Sequence, residues 1–180
     1  MAFNVTEFRS NMIVDGARPN LFNVTLILPP SVTNSSESSK QLSFMAKAAQ
    51  LPGSSVGTVP VYYFGRELKF AGNRTFPDWT LQIINDENFT IRNSLENWLN
   101  SINSHEGNVR GANSVAPSSY SIDAKVTQFG KSGNALKEYK FVGMFPIDVA
   151  PIDLDWGSND TIEEYSVTFA YQFWTADTTS

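Results

Sequence analysis

Apolar and polar positions alternate along several short runs of this chain, and in one run the apolar positions recur at helical spacing instead. Phe22, Val24, Leu26 and Leu28 alternate with Asn23, Thr25 and Ile27 until Pro29-Pro30, the pattern of a half-buried strand. Thr58 to Gly72 is rich in β-branched and aromatic residues, and Val59, Val61 and Tyr63 lead into Gly65-Arg66, which predicts a hairpin arm. Trp79, Leu81 and Ile83 share one face of the next predicted strand. Tyr120, Ile122, Ala124 and Val126 alternate as far as Gly130-Lys131-Ser132-Gly133-Asn134, after which Tyr139, Phe141 and Phe145 resume the pattern; that cluster reads as a hairpin turn. The last run sets Tyr165, Val167, Phe169, Tyr171 and Phe173 on one face, with Glu164, Ser166, Thr168, Ala170 and Gln172 on the other.

Helical spacing begins after Asp86. Ile91, Leu95, Trp98, Leu99 and Ile102 form one apolar stripe, which predicts a helix at 87–103 with Asp86 as its N-cap. The remaining segments read as connections. Met1 to Asn20 has little periodicity, Ser31 to Ser39 is a serine-rich polar loop, Phe44 to Gln50 offers one or two helical turns, and Ser104 to Ser119 is rich in Asn, Gly and Ser. The expectation is a single domain, 1–180, with an extended N-terminal segment at 1–20 and long loops at 29–43, 46–60 and 104–119. Connections of that length are usually functional or find their order on a partner. The fold class is mainly β: about seven antiparallel strands in two packed sheets, a sandwich or rolled barrel, with one flanking helix.

Composition changes the picture in two ways. Only 17% of the 180 residues are charged, against a usual value of about 25%, so extensive protein–protein contact is expected. The net charge of −5 argues against a chain that grips nucleic acid by neutralising phosphates. No cysteine is present, which removes disulfides and thiolate metal sites. The N-terminus lacks a basic start followed by an apolar core, and no run approaches the length of a membrane span; a soluble chain made in a cytoplasm is expected.

Patterns suggestive of chemistry dissolve on inspection. Gly130-Lys131-Ser132 has the ending of a phosphate loop, but Lys125 stands where that loop needs its first glycine. Asp153, Asp155, Asn159 and Glu164 have a calcium-loop rhythm, yet Gly157 occupies a ligand position and Ser158 the glycine position. His105 is the one histidine, and Glu163-Glu164 point to opposite faces of a strand. No catalytic centre, cofactor or metal site is expected. Arg66, Arg74 and Arg92 differ in kind, because arginine suits bidentate pairing at partly buried contacts; intramolecular pairs and subunit contacts both fit them, as they fit Asp78.

The same residues carry a resemblance. Gly16-Ala17-Arg18-Pro19-Asn20-Leu21-Phe22, Ala48-Ala49-Gln50-Leu51-Pro52-Gly53-Ser54 and Tyr63-Phe64-Gly65-Arg66 are its first elements. Asn73-Arg74-Thr75-Phe76 with Asp78-Trp79, and Phe89-Thr90-Ile91-Arg92 with Glu96 and Trp98, follow. With the closing Tyr165-Ser166-Val167-Thr168-Phe169-Ala170-Tyr171 and Trp174, the chain resembles the tail tube proteins of T-even-like contractile-tailed bacteriophages.

That resemblance implies a non-enzymatic virion protein, assembled in the host bacterial cytoplasm, whose hexameric rings stack into a hollow tube inside a contractile sheath. The tube would conduct the genome into the host. Implied partners are further copies of the chain, the sheath protein, baseplate tube-initiating proteins, a tape-measure protein and a tail terminator, with DNA passing unbound. The implied fold is shared with tubes of contractile bacteriocins and type VI secretion. Leu51, Pro52, Val56, Arg66, Arg74, Asp78 and Arg92 are the candidate subunit contacts, the loop Lys47 to Pro60 being a natural stacking element. Asp123, Thr127, Glu164, Ser166 and Thr168 are the candidate lumen positions, on an expected face of small polar and acidic groups that does not hold phosphate. The alternatives are a non-catalytic β-sandwich carbohydrate-binding module and, within the tube class, a bacteriocin tube or a baseplate tube-initiating protein.

Overall fold

The computed structural model describes residues 4–12 and 16–179. In chain order its elements begin with helix α1 (Val5–Asn11), strand β1 (Phe22–Leu26), helix α2 (Ser35–Met45) and strand β2 (Ala46–Ala49). β3 (Ser55–Tyr63), β4 (Arg66–Thr75) and β5 (Trp79–Ile84) lead to helix α3 (Thr90–Ile102). A 3-10 turn (Ala112–Ser114) and the short α4 (Pro117–Tyr120) precede β6 (Ile122–Phe129), β7 (Ala135–Val149), β8 (Glu164–Ala170) and β9 (Phe173–Ala176).

Two antiparallel sheets share β7. Its first part pairs with β6 on one side and with β9 on the other, and β1 extends that sheet beyond β6. Its last part pairs with β8, followed by β5 and β2. The transfer happens at Gly143, whose φ of +65° lies in the left-handed region that favours glycine and whose N–H donates to Asp123 Oδ1 at 3.3 Å. A 15-residue strand can thus serve both sheets by bending, and the sheets roll around one core.

The alternation read from the sequence is the alternation of burial. Val24 and Leu26, Trp79, Leu81 and Ile83, Ala124 and Val126, and Tyr165, Val167 and Phe169 all point inward. Trp79 packs its ring 4.9 Å from Phe141 and 5.8 Å from Phe169, joining the two sheets. Helix α3 closes the roll with Ile91, Leu95 and Trp98 fully covered. Trp98 lies 6.3 Å from Phe169.

Several connections turn out to be ordered. Ser31–Ser39 is not a loop throughout, because α2 starts at Ser35 and buries Ser38 and Leu42, four residues apart, against α3. The Ser38 and Ser94 hydroxyls meet at 2.7 Å, so small polar side chains let the two helices approach closely. The turns expected at Phe44–Gln50 are instead the end of α2 and the edge strand β2, whose backbone is claimed by β5. The expected loop 46–60 therefore holds β2 and part of β3, and 104–119 holds the 3-10 turn and part of α4. The expected extended segment 1–20 contains α1, with residues 1–3 and 13–15 outside the described residues. The final alternating run is broken after Ala170: Phe173 is 43% exposed and belongs to β9, which pairs with β7.

Indole N–H groups fix the connections that remain irregular. Trp79 donates to Gln50 O at 2.7 Å, Trp174 to Gly53 O at 2.9 Å and Trp98 to Tyr120 O at 2.8 Å.

Candidate functional site

The hairpin β3–β4 stands apart from the core. Its strands pair only with each other, and no position on it is buried. Phe64 and Gly65 form its two-residue turn with φ of +47° and +77°, the left-handed pair of a type I′ turn. At its base the register shifts between Val56 and Thr58, where a Cβ on Gly72 would meet Gly57 O at 3.1 Å. Such a bulge redirects a ribbon.

Register sorts the ribbon into two faces. Val59 opposes Phe70, Val61 opposes Leu68 and Tyr63 opposes Arg66, so these side chains share one face. Four of them are apolar and half-exposed: Val59 50%, Val61 47%, Leu68 45% and Phe70 56%. The other face carries Pro60 with Lys69 and Tyr62 with Glu67. A ribbon of nine residues is roughly 25–30 Å long.

The outward faces of the two sheets have a different character. Lys125 lies directly opposite Lys140 in the register, an arrangement that repels. Each lysine takes a diagonal acid instead, Lys125 with Glu138 and Lys140 with Asp123, both at 3.0 Å. The Lys140 hydrogen bond draws the Asp123 carboxyl below its usual range against partial desolvation, with the Gly143 N–H assisting. On the other sheet Glu164 pairs with Lys47 and accepts from Gln82 Nε2 at 3.3 Å. Ser166 and Thr168 follow it on the same face of β8 and are half-exposed.

Of the lumen candidates, Asp123, Glu164, Ser166 and Thr168 lie on these outward faces, whereas Thr127 is only 8% exposed and is covered by its own subunit. On these faces Glu164, Glu138 and Asp123 come matched with lysines. Among the contact candidates, Arg66 sits at the hairpin tip, while Val56 and Arg74 oppose each other at its base, where Arg74 reaches Ser54 Oγ at 3.3 Å. Leu51 is 47% exposed and, with Pro19 and Phe22, lines a notch of about 120 Å³ where the sheet edges β1 and β2 approach. Pro52 is half-buried and Asp78 exposed on the connections into β3 and β5.

Arg92 is engaged within the subunit. Its Nε donates to Glu96 Oε1 at 2.9 Å, a terminal nitrogen donates to Ala150 O at 3.2 Å, and its guanidinium lies 5.1 Å from the Tyr165 ring centre. Burial pushes the Tyr165 phenol well above its usual range, and Arg92 only partly opposes this. Among the described residues no group of three or more His, Asp or Glu could hold a metal ion.

A family model described as phage tail tube protein matches residues 17–177. The tail tube protein gp19 of Enterobacteria phage T4 is 35% identical over 162 residues, covering 89% of this chain and 91% of its own length. The chain belongs to the phage tail tube protein family.

A second relative, the tail tube protein of Serratia phage KSP90, is 28% identical and covers 93% of each chain. Among solved structures, a chain of the sheath–tube complex of the PVC extracellular contractile injection system superimposes with a TM-score of 0.62 at 16% identity, covering 98% of this chain and 99% of that one. A chain of the anti-feeding prophage baseplate gives 0.64 at 12% identity, covering 91% and 97%. The fold is therefore that of contractile-system tubes. As a tail tube protein the chain is a structural component of the virion tail, and the carbohydrate-binding alternative is not favoured. For a tail tube protein, the surfaces that matter are those left uncovered by one subunit. Val59, Val61, Leu68 and Phe70 are four such positions; alternation along the chain predicts a strand with one apolar face without saying whether its own core covers it.

Proposed function

We propose that this tail tube protein forms hexameric rings that stack into the hollow conduit for the genome, with the β3–β4 hairpin as the arm that holds each subunit to a neighbouring copy. The observation that carries this reading is the unpartnered apolar face of the ribbon. An isolated two-stranded hairpin is marginal in water, and an exposed apolar patch of this kind marks an interaction surface. Covering the remaining exposed area of Val59, Val61, Leu68 and Phe70 on a neighbour contributes on the order of 1 kcal/mol per side chain. Arg66 at the tip, and Val56, Arg74, Leu51, Pro52 and Asp78 around the base, are the further contacts of this arm.

In such a ring the outward sheet faces supply the lumen, with Asp123, Glu164, Ser166 and Thr168 in the lining. The edge strands of neighbouring sheets would pair, leaving no open edge. The sheath and a baseplate tube-initiating protein are the partners suggested by the assemblies in which similar folds occur; a tape-measure protein and a terminator would set where growth stops. No catalytic step is assigned to the chain. The test is electron microscopy of the purified protein beside its Val61→Thr/Leu68→Thr variant. Hollow stacked rings from the wild type, and folded but unpolymerised variant, are expected; a wild type that stays monomeric at high concentration overturns the reading.

A further inference from the structure

The two ends of the rolled sheet differ in charge: Lys131 stands at one and a run of acids at the other. β7 leads from the turn 130–134 at one end to the loop 150–163 at the other, and the register of its neighbours keeps these apart. Phe129 and Ala135 pair beside the turn, whereas Val149 pairs with Val167 near the start of β8. At the turn, Lys131 lines a cavity of about 420 Å³ with Gly16, Ala17, Arg18, Ser132 and Leu136, and no acidic residue is among the described residues of the lining. That volume falls in the range of roughly 300–1,000 Å³ that admits a small organic group. Lys131 makes no ion pair or hydrogen bond among the described residues, unlike Lys47, Lys125 and Lys140, which each hold an acid of their own subunit.

The far loop is its complement. It carries Asp153, Asp155, Asp160 and Glu163 with no lysine or arginine, and neither Asp153 nor Asp160 meets a cation among the described residues. Asp155 Oδ1 accepts from Gly157 N at 3.0 Å and its carbonyl accepts from Ser158 N at 3.2 Å. This turn pushes Trp156 outward. Three of the four tryptophans donate their indole N–H to a backbone carbonyl, but Trp156 is 100% exposed, with Leu154 at 81% and Ile162 at 72% beside it. A bare indole flanked by acids costs solvation in a lone subunit and suits the centre of an interface, where tryptophan anchors are enriched.

We propose that the loop 150–163 of one subunit docks at the Lys131 cavity of a second copy of this chain, Trp156 entering against Leu136 while Asp153 and Asp160 face Lys131. The contact is head-to-tail, so it repeats without using itself up, as an open polymer requires. The indole supplies affinity, and the charges supply register and encounter rate. The proposal rests on the tube reading and adds a second junction, separate from the hairpin.

The experiment follows polymerisation of the full chain by light scattering and electron microscopy, with circular dichroism melts as the control for folding. Trp156→Ala is expected to raise the concentration at which tubes appear by about tenfold or more with an unchanged melt. Lys131→Glu alone, and Asp153→Lys/Asp160→Lys alone, are each expected to weaken assembly, and the combination of all three to restore it. Tubes at the wild-type concentration from Trp156→Ala and Lys131→Glu overturn the proposal, as does a triple variant no better than its parents. If Val61→Thr/Leu68→Thr blocks tubes while these variants do not, only this junction falls; if the wild type forms no hollow polymer, the tube reading itself falls.

Discussion

Asp86 starts helix α3 from four residues away. Its Oδ1 accepts from Thr90 N at 3.1 Å and its Oδ2 from Thr90 Oγ1 at 3.0 Å, while the chain between them passes through Phe89 at a φ of +54°. The carboxylate does the work of an N-cap although the formal cap position belongs to Phe89, and the helix opens at Thr90 rather than at 87. Asp86→Ala is expected to lower stability by about 1 kcal/mol in urea unfolding, and Asp86→Asn to keep most of it. Asp123 gives a pH-dependent counterpart. Its folded carboxyl is drawn below the usual range by Lys140, so its contribution is present above the ordinary carboxyl range and disappears as pH falls through the lowered folded value. With the side chain 49% exposed, that contribution is small. An NMR titration should place the Asp123 midpoint below that of a free aspartate, and Lys140→Gln should move it upward.

At the scale of elements, the hairpin and α2 depart furthest from what local pattern implies, in opposite directions. The hairpin has the β-branched and aromatic content of a strand pair, yet its strands contribute nothing to the buried core, because the bulge at Gly72 carries it away from the sheet. Helix α2 is serine-rich and reads as a loop, yet it packs where larger residues would not fit, with Ser38 fully buried against Ser94. Serine is a modest helix former, and here tertiary contact decides the outcome. Pairing decides β2 in the same way: Ala46–Ala49 has little strand propensity and is held by the backbone groups of β5.

At the scale of the whole molecule, six chains of net charge −5 would give a ring carrying about −30. The outward sheet faces account for little of it, since Lys47, Lys125 and Lys140 balance Glu164, Glu138 and Asp123. As the proposed lining, such matched pairs would offer phosphate no excess of either sign. Asp123→Lys with Glu164→Lys breaks that balance and creates a basic wall. Tubes are expected to assemble normally from this variant while genome ejection slows; unchanged ejection kinetics would remove these two residues from the lining.

Sequence alone determined which residues alternate inward and where α3 runs, because periods of 2 and 3.6 are local properties written into each segment. It also determined the family, through residues spread over nearly the whole chain. It could not decide that Arg92 is spent on Glu96 and the Ala150 carbonyl, or that Thr127 is covered. Those outcomes depend on neighbours distant in sequence. Nor could it tell that the apolar face of the 58–72 arm is open to solvent while an identical alternation in β8 is sealed. Alternation states that a face is suited to being covered; only the tertiary structure revealed that the subunit itself leaves that face of the hairpin bare, because the ribbon stands away from its own core.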